Sequence, residues 1–103
     1  MIRHMVTVRF RPDLPAAEKA AIYKALGDLR GHLSGILDYR TFANISPEAP
    51  VVRGFLDMFW FDFADAASRD AYLIDPAHQA AGARLVAACG GVDGLLVCDI
   101  ALP

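Results

Sequence analysis

The sequence has little of what ties a protein to a metal, a membrane or a nucleic acid. It holds two cysteines, Cys89 and Cys98, with no C-x-x-C spacing and no histidine at zinc-ligand spacing. They read as reduced, buried thiols, which points to the cytoplasm. The three histidines show no short ligand spacing, so no metal site is expected. No run approaches the roughly 18 uninterrupted apolar residues of a membrane span. Positive charge is not in excess either: 10 basic against 12 acidic residues give a net charge of −2. That leaves no basic face for a phosphate backbone, so neither a membrane nor a nucleic-acid partner is expected. Met1-Ile2-Arg3-His4-Met5 alternates apolar and polar residues straight into Arg9 and Arg11, which argues against a signal peptide. Repeats, low-complexity tracts and dividing linkers are missing, so residues 1–103 read as a single domain.

Apolar side chains are what the chain has in quantity. It is 55% hydrophobic and 21% charged, which excludes disorder and is rich for a small monomer with little interior. Residues 2–10 alternate, with Ile2, His4, Val6, Val8 and Phe10 on one face, and read as a strand. Pro15 stands near a helix start, and Ile22, Leu26, Leu29 and Leu33 form the helical stripe that follows. Ile36 to Asn44 is a second strand, residues 46–50 a breaker-rich loop, and Phe55 to Phe63 an aromatic third strand. Asp65 caps one helix; Asp75-Pro76 restarts a second, which Gly90-Gly91 closes. Leu95 to Leu102 is the last strand. The order βαββαβ predicts an α+β, ferredoxin-like fold with a four-stranded antiparallel sheet and both helical segments on one face.

Both faces of that sheet are apolar by parity. One set holds Val6, Val8, Phe10, Leu37, Tyr39, Phe55, Phe59, Phe61, Leu95 and Val97. The other holds Met5, Ile36, Phe42, Met58, Trp60, Leu96, Cys98, Ile100 and Leu102, diluted by charges such as Arg3, Asp38, Arg40 and Asp62. Helices can cover one face only. The economical cover for the other is a second copy, sheet against sheet, so a homodimer is expected.

A small set of polar groups interrupts the apolar pattern. Tyr72 and His78 lie six residues apart, about 120° apart on an unbroken helix. The break at Asp75-Pro76 lets both point inward. His78, in the first turn after the break, feels the positive helix end, which favours neutral imidazole, the form that acts as a base. Tyr72 can donate a phenolic hydrogen bond to a carbonyl oxygen. His4 shares parity with Val6 and Val8, and Asp99 with Leu95 and Val97, so Asp99 is expected to orient His78. The candidate catalytic set is therefore His78, Tyr72, Asp99 and His4. The bland reading makes Tyr72 and His78 packed core residues, and His32, at a helix end, a solvent-exposed one.

Arg3-His4-Met5-Val6-Thr7-Val8-Arg9-Phe10, the Tyr72 to Asp75-Pro76-Ala77-His78 turn and Leu95-Leu96-Val97-Cys98-Asp99 together resemble the stress-responsive A/B barrel (Dabb) family over nearly the whole chain. The resemblance implies a dimeric α+β barrel. The family includes plant stress proteins and a plant polyketide cyclase that closes a ring by aldol condensation. Tyr72 and His78 fall on that cyclase's catalytic pair, His4 on a pocket histidine and Asp99 on its last-strand Asp. Asp57 replaces another pocket histidine, Phe42 stands at a position that is often Gly, and Phe59 and Phe61 replace smaller residues, which predicts a narrower pocket. A small apolar or aromatic ligand is expected against Val6, Val8, Tyr39, Asp57, Phe59, Phe61 and Val97 of the sheet and Tyr23 and Leu26 of the first helix. No cofactor is expected. Three functional readings follow: a ligand-binding dimer with a His/Tyr proton-transfer site of cyclase or lyase type, a non-enzymatic stress-response binding module, and a monooxygenase-like or haem-handling barrel.

Overall fold

The computed structural model describes residues 1–103. Strand β1 (Ile2–Val8) leads into helix α1 (Ala16–Gly27), which tightens into a 3₁₀ turn over Asp28–Gly31. Strand β2 (Ile36–Ala43), a one-turn helix α2 (Ala49–Val52) and strand β3 (Asp57–Phe63) follow. Helices α3 (Ala66–Ile74) and α4 (Pro76–Ala88) then lead through a 3₁₀ turn to strand β4 (Leu95–Ala101). The four strands form one antiparallel sheet in the order β2-β3-β1-β4, the ferredoxin-like topology. No helix is long and apolar enough to cross a membrane.

Local chemistry explains the element ends. The Asp65 carboxylate accepts from the Ser68 N–H at 2.8 Å and starts α3. Asp75 leaves helical geometry at ψ 130° and accepts from the His78 N–H at 3.0 Å, which ends one helix and begins the next. Gly35 lies at φ +86°, where a Cβ would stand 2.1 Å from Ser68 Oγ, so only glycine lets β2 start beside α3.

The core lies between the sheet and the helices. Val6, Val8, Phe59, Phe61 and Phe63 meet Ile22, Leu26 and Leu29 from the α1 stripe, and Tyr72, Ala81, Leu85 and Ala88 from α3 and α4. The opposite sheet face carries no helix. Ile100 and Phe42 are each 37% exposed there and Leu96 is 61% exposed. Its charges pair with one another: Arg3 Nε and Nη2 grip Asp62 at 2.9 and 3.1 Å, and Arg40 reaches Asp38 at 2.8 Å.

Four details differ from the sequence reading. A β-bulge sets Ile36 opposite Phe63 but Asp38 opposite Asp62, leaving Leu37 as the extra residue. Ile36 therefore packs on the core while Leu37 is 52% exposed, the reverse of their parity. Phe55 precedes β3, where the Arg9 guanidinium lies over its ring at 4.8 Å. The expected 46–50 loop runs into α2. Cys89 is half-buried but Cys98 is exposed, because its face of the sheet is uncovered.

Truncating Phe61, fully buried, should cost about 3–5 kcal/mol as Phe61→Ala. Leu37→Ala should stay within about 0.5 kcal/mol. Urea denaturation of both variants measures the contrast, and the opposite order would place Leu37 in the core.

Candidate functional site

Three side chains from three elements converge on the helix side of the sheet. Tyr72 comes from the last turn of α3 and His78 from the first turn of α4. The break at Asp75 brings their rings to 3.8 Å between centroids, tilted by 33°. His4 of β1 stands edge-on to Tyr72 at 5.6 Å. His4 is buried, and Tyr72 is 1% exposed, packed between Phe61 at 4.9 Å and Phe63 at 5.1 Å.

The carboxylate partner is a correction to the sequence expectation. β4 pairs with β1 so that Asp99 lies directly opposite His4. Asp99 Oδ1 is 2.6 Å from His4 Nδ1, and Asp99 Oδ2 accepts from Arg69 Nη1 at 2.8 Å. Asp99 orients His4, not His78; the buried Nδ1 of His78 has no protein partner. His78 is placed instead through its backbone, by Asp75. That carboxylate also takes a 2.8 Å hydrogen bond from His32 Nε2, so the exposed His32 side chain is tied to the helix junction.

Burial sets the protonation states. It pulls the His78 imidazole below its ordinary value, and the nearby His4 adds to the effect, so neutral imidazole is favoured. Burial pushes the Tyr72 phenol well above its ordinary range, which keeps its proton available for donation. For Asp75, burial pushes upward, but the hydrogen bonds from His78 and His32 win and hold the carboxyl below the usual value.

A cavity of about 370 Å³ opens beside these groups. His4, Val6, Leu26, Phe59, Tyr72, His78 and Val97 of the sequence-predicted set line it. Val8, Tyr23, Tyr39, Asp57 and Phe61 do not. Tyr39 packs on Phe61 at 4.6 Å and donates to the Tyr23 carbonyl at 3.1 Å. The Asp57 carboxylate is held by Lys19 at 2.6 Å. Phe59 is thus the one of the expected narrowing aromatics that reaches the cavity. Leu73, Gln79, Gly82, Leu85, Val86 and Leu95 also line it and were missed. Gly82 and Leu85 follow His78 by four and seven residues, so helical periodicity was the signal that could have found them. A larger groove of about 460 Å³ between α1 and α4 includes His32 but none of the converging His4, Tyr72 and His78. No group of three or more His, Cys, Asp or Glu side chains is placed to hold a metal.

A four-stranded sheet with helices on one face and a buried His/Tyr cluster defines a ferredoxin-like domain with one pocket under its α3–α4 junction. The Stress Responsive A/B Barrel (Dabb) domain matches residues 2–100, and the chain belongs to that family. A structure from Jannaschia sp. CCS1, described as a dimeric ferredoxin-like protein of unknown function, is 31% identical with a TM-score of 0.79, over 98% of both chains. A Dabb family protein from Mesorhizobium loti is 20% identical with a TM-score of 0.76, over 99% of this chain and 96% of that one. The hydroxynitrile lyase of Passiflora edulis is 16% identical with a TM-score of 0.84, over 99% of this chain and 93% of that one. No curated protein sequence matches.

The lowered His78 value has a consequence for stability. A base whose folded value is depressed stabilises the fold above its unfolded value of about 6.5 and loses that contribution as pH falls. The wild type should therefore lose melting temperature between about pH 6.5 and pH 5, before the carboxylates titrate. His78→Gln should flatten that slope in differential scanning fluorimetry; an unchanged slope would assign it to other groups.

Proposed function

We propose that this protein is a cytoplasmic homodimer that binds a small, mostly apolar carbonyl compound and moves a proton at the carbon beside the carbonyl. The observation that carries the reading is the Asp99-held His4 facing the same apolar cavity as Tyr72 and neutral His78. With Asp99 accepting from Nδ1–H, the His4 ring keeps its Nε2 lone pair as the base. The base takes the carbon-bound proton, the electron pair moves onto the carbonyl oxygen, and the Tyr72 hydroxyl donates a hydrogen bond to that developing negative charge. Returning the proton gives exchange at that carbon. Joining the new carbon nucleophile to a second carbonyl, whose oxygen then takes the proton back from His4, completes a cyclase-type turnover. The same steps in reverse, with the base taking the hydroxyl proton as the carbon–carbon bond breaks, are the lyase direction. His78 stacks on Tyr72 and fixes its ring. The lyase name of the Passiflora protein fits this class of chemistry, while the argument rests on the side chains of this chain.

The test uses acetophenone in deuterated buffer, with α-deuteration followed by NMR. The wild type should accelerate exchange by about 10²–10⁴-fold over buffer. His4→Gln should abolish the acceleration, and Tyr72→Phe, which keeps the core ring, should cut it sharply. Acetophenone that binds in the cavity without accelerated exchange would make the protein a binding module.

Dimerisation through the outer sheet face is supported by the unpartnered Met58, Trp60, Leu96 and Ile100. Arg3 and Asp62, and Arg40 and Asp38, already form ion pairs on that face, so burying these four leaves none of them uncompensated. The dimeric description of the Jannaschia structure agrees. Light scattering should give a dimer for the wild type at micromolar concentration, and monomer or aggregate for Trp60→Glu. A monomeric wild type would overturn this part of the reading.

A further inference from the structure

The cations of this protein are paired almost everywhere. Arg3 holds Asp62, Lys19 holds Asp57, Lys24 holds Asp28 and Arg84 holds Glu18. Arg69 holds Asp70 and Asp99, and Arg30 and Arg40 share Asp38. Three arginines stand outside this pattern. Arg9 makes no ion pair; it donates to the Asp93 carbonyl at 3.2 Å and covers the Phe55 ring. Arg11 comes no closer than 4.0 Å to the exposed Asp13. Arg53 has no carboxylate partner. In a chain with acidic residues in excess, the cations left over are gathered at one end of the fold.

That end contains a cavity of about 400 Å³, lined by Arg9, Phe10, Arg11, Gly54, Leu56 and Cys89 among others. Gly54 directly follows Arg53. Both residues lie in the left-handed region, at φ +79° and +56°, so the chain turns sharply there. A Cβ on Gly54 would stand 3.0 Å from Arg9 Cδ, so a side chain would displace the arginine. Arg53 takes this geometry as the C-cap of α2, which ends that helix and sends the chain past Arg9 toward Leu56. No residue of this cavity lines the His4–Tyr72–His78 cavity.

We propose that this second cavity binds a small organic anion, with its carboxylate between Arg9 and Arg11 and its apolar body against Phe10, Leu56 and Cys89. The guanidinium fork matches a carboxylate in two parallel hydrogen bonds, and no carboxylate of this chain comes closer than the exposed Asp13, 4.0 Å from Arg11, to compete for the pair. A volume of about 400 Å³ lies within the range of small-molecule sites. Inorganic phosphate would satisfy the arginines but leave the apolar wall unused, so an aromatic or aliphatic carboxylate is the ligand class.

The test is a benzoate titration of the whole protein followed by amide NMR shifts. Saturable shifts are expected at Gly54, Cys89 and Gly90. Arg9→Gln and Arg11→Gln should each weaken binding roughly tenfold, the worth of one charge-assisted hydrogen bond. Raising salt to about 1 M should weaken it as well, because screening then acts within roughly 3 Å. Arg84→Gln, outside the cavity, should leave affinity unchanged. Acetate and inorganic phosphate should bind several-fold more weakly. The proposal is overturned by absence of saturation, by shifts confined to residues 73–82, or by unchanged affinity in both cavity variants. Equal binding of acetate or phosphate, or an equal loss in Arg84→Gln, overturns it too.

Discussion

The site depends on one carboxylate that performs no chemistry. Asp75 stops α3 by leaving helical geometry and starts α4 by accepting the His78 N–H. On a continuous helix, Tyr72 and His78 would diverge by about 120°. With the chain broken between them, their rings lie 3.8 Å apart on one side of the cavity. The same carboxylate takes the His32 hydrogen bond, which ties the junction to the end of the 3₁₀ turn after α1. One side chain therefore sets the direction of two helices, the place of two aromatic residues and an inter-element clasp. That break was legible from sequence, because Asp at an N-cap followed by Pro at the first helical position has a local physical cause.

Long-range partners were less legible, and for a physical reason. Period-two alternation says which face a residue occupies but not which residue it meets across the ladder. His4 and Asp99 were correctly set on the helix face by parity. Their register was invisible, so the carboxylate was assigned to His78, whereas β1–β4 pairing places it opposite His4 at 2.6 Å. The bulge at Leu37 is a failure of the same kind. One extra residue inverts parity at the start of β2, and no local signal in Ile36-Leu37-Asp38 announces it. The βαββαβ order and the α1 stripe were readable, since each rests on neighbours in sequence. Phe61 and Tyr39 were expected at the cavity because they share the face of Phe59; helix placement, which parity does not contain, buries them under Tyr72 and α1.

Tyr72 joins the core to the cavity. Its ring fills space between Phe61 and Phe63, so the packing that stabilises the fold also fixes the phenol. Positioning of that kind suits a group that must meet charge as it develops, because the core has already restricted its rotamer. His4 is fixed differently, by its hydrogen bond to the Asp99 carboxylate, which Arg69 ties to α3. One site member is held by dispersion and the other by electrostatics. The two hold under different conditions: salt screens the Arg69–Asp99 contact and scarcely touches the packing of Tyr72 against Phe61 and Phe63.

The edge strand completes this division. β4 has β1 on one side and no strand on the other, and Val97, although on the helix face, is 54% exposed. The helices cover the cavity from the side of β3 and leave it open along β4. Asp99 stands on that same open strand, with its side chain 27% exposed. The carboxylate that orients His4 is therefore the site member nearest solvent, while Tyr72 is the one farthest from it. From the β4 side, the Asp99 carboxylate and His4 therefore lie ahead of the phenol. The cavity thus has an open edge, where the Asp99–His4 hydrogen bond lies, and a rigid aromatic wall on the opposite side, built on Tyr72.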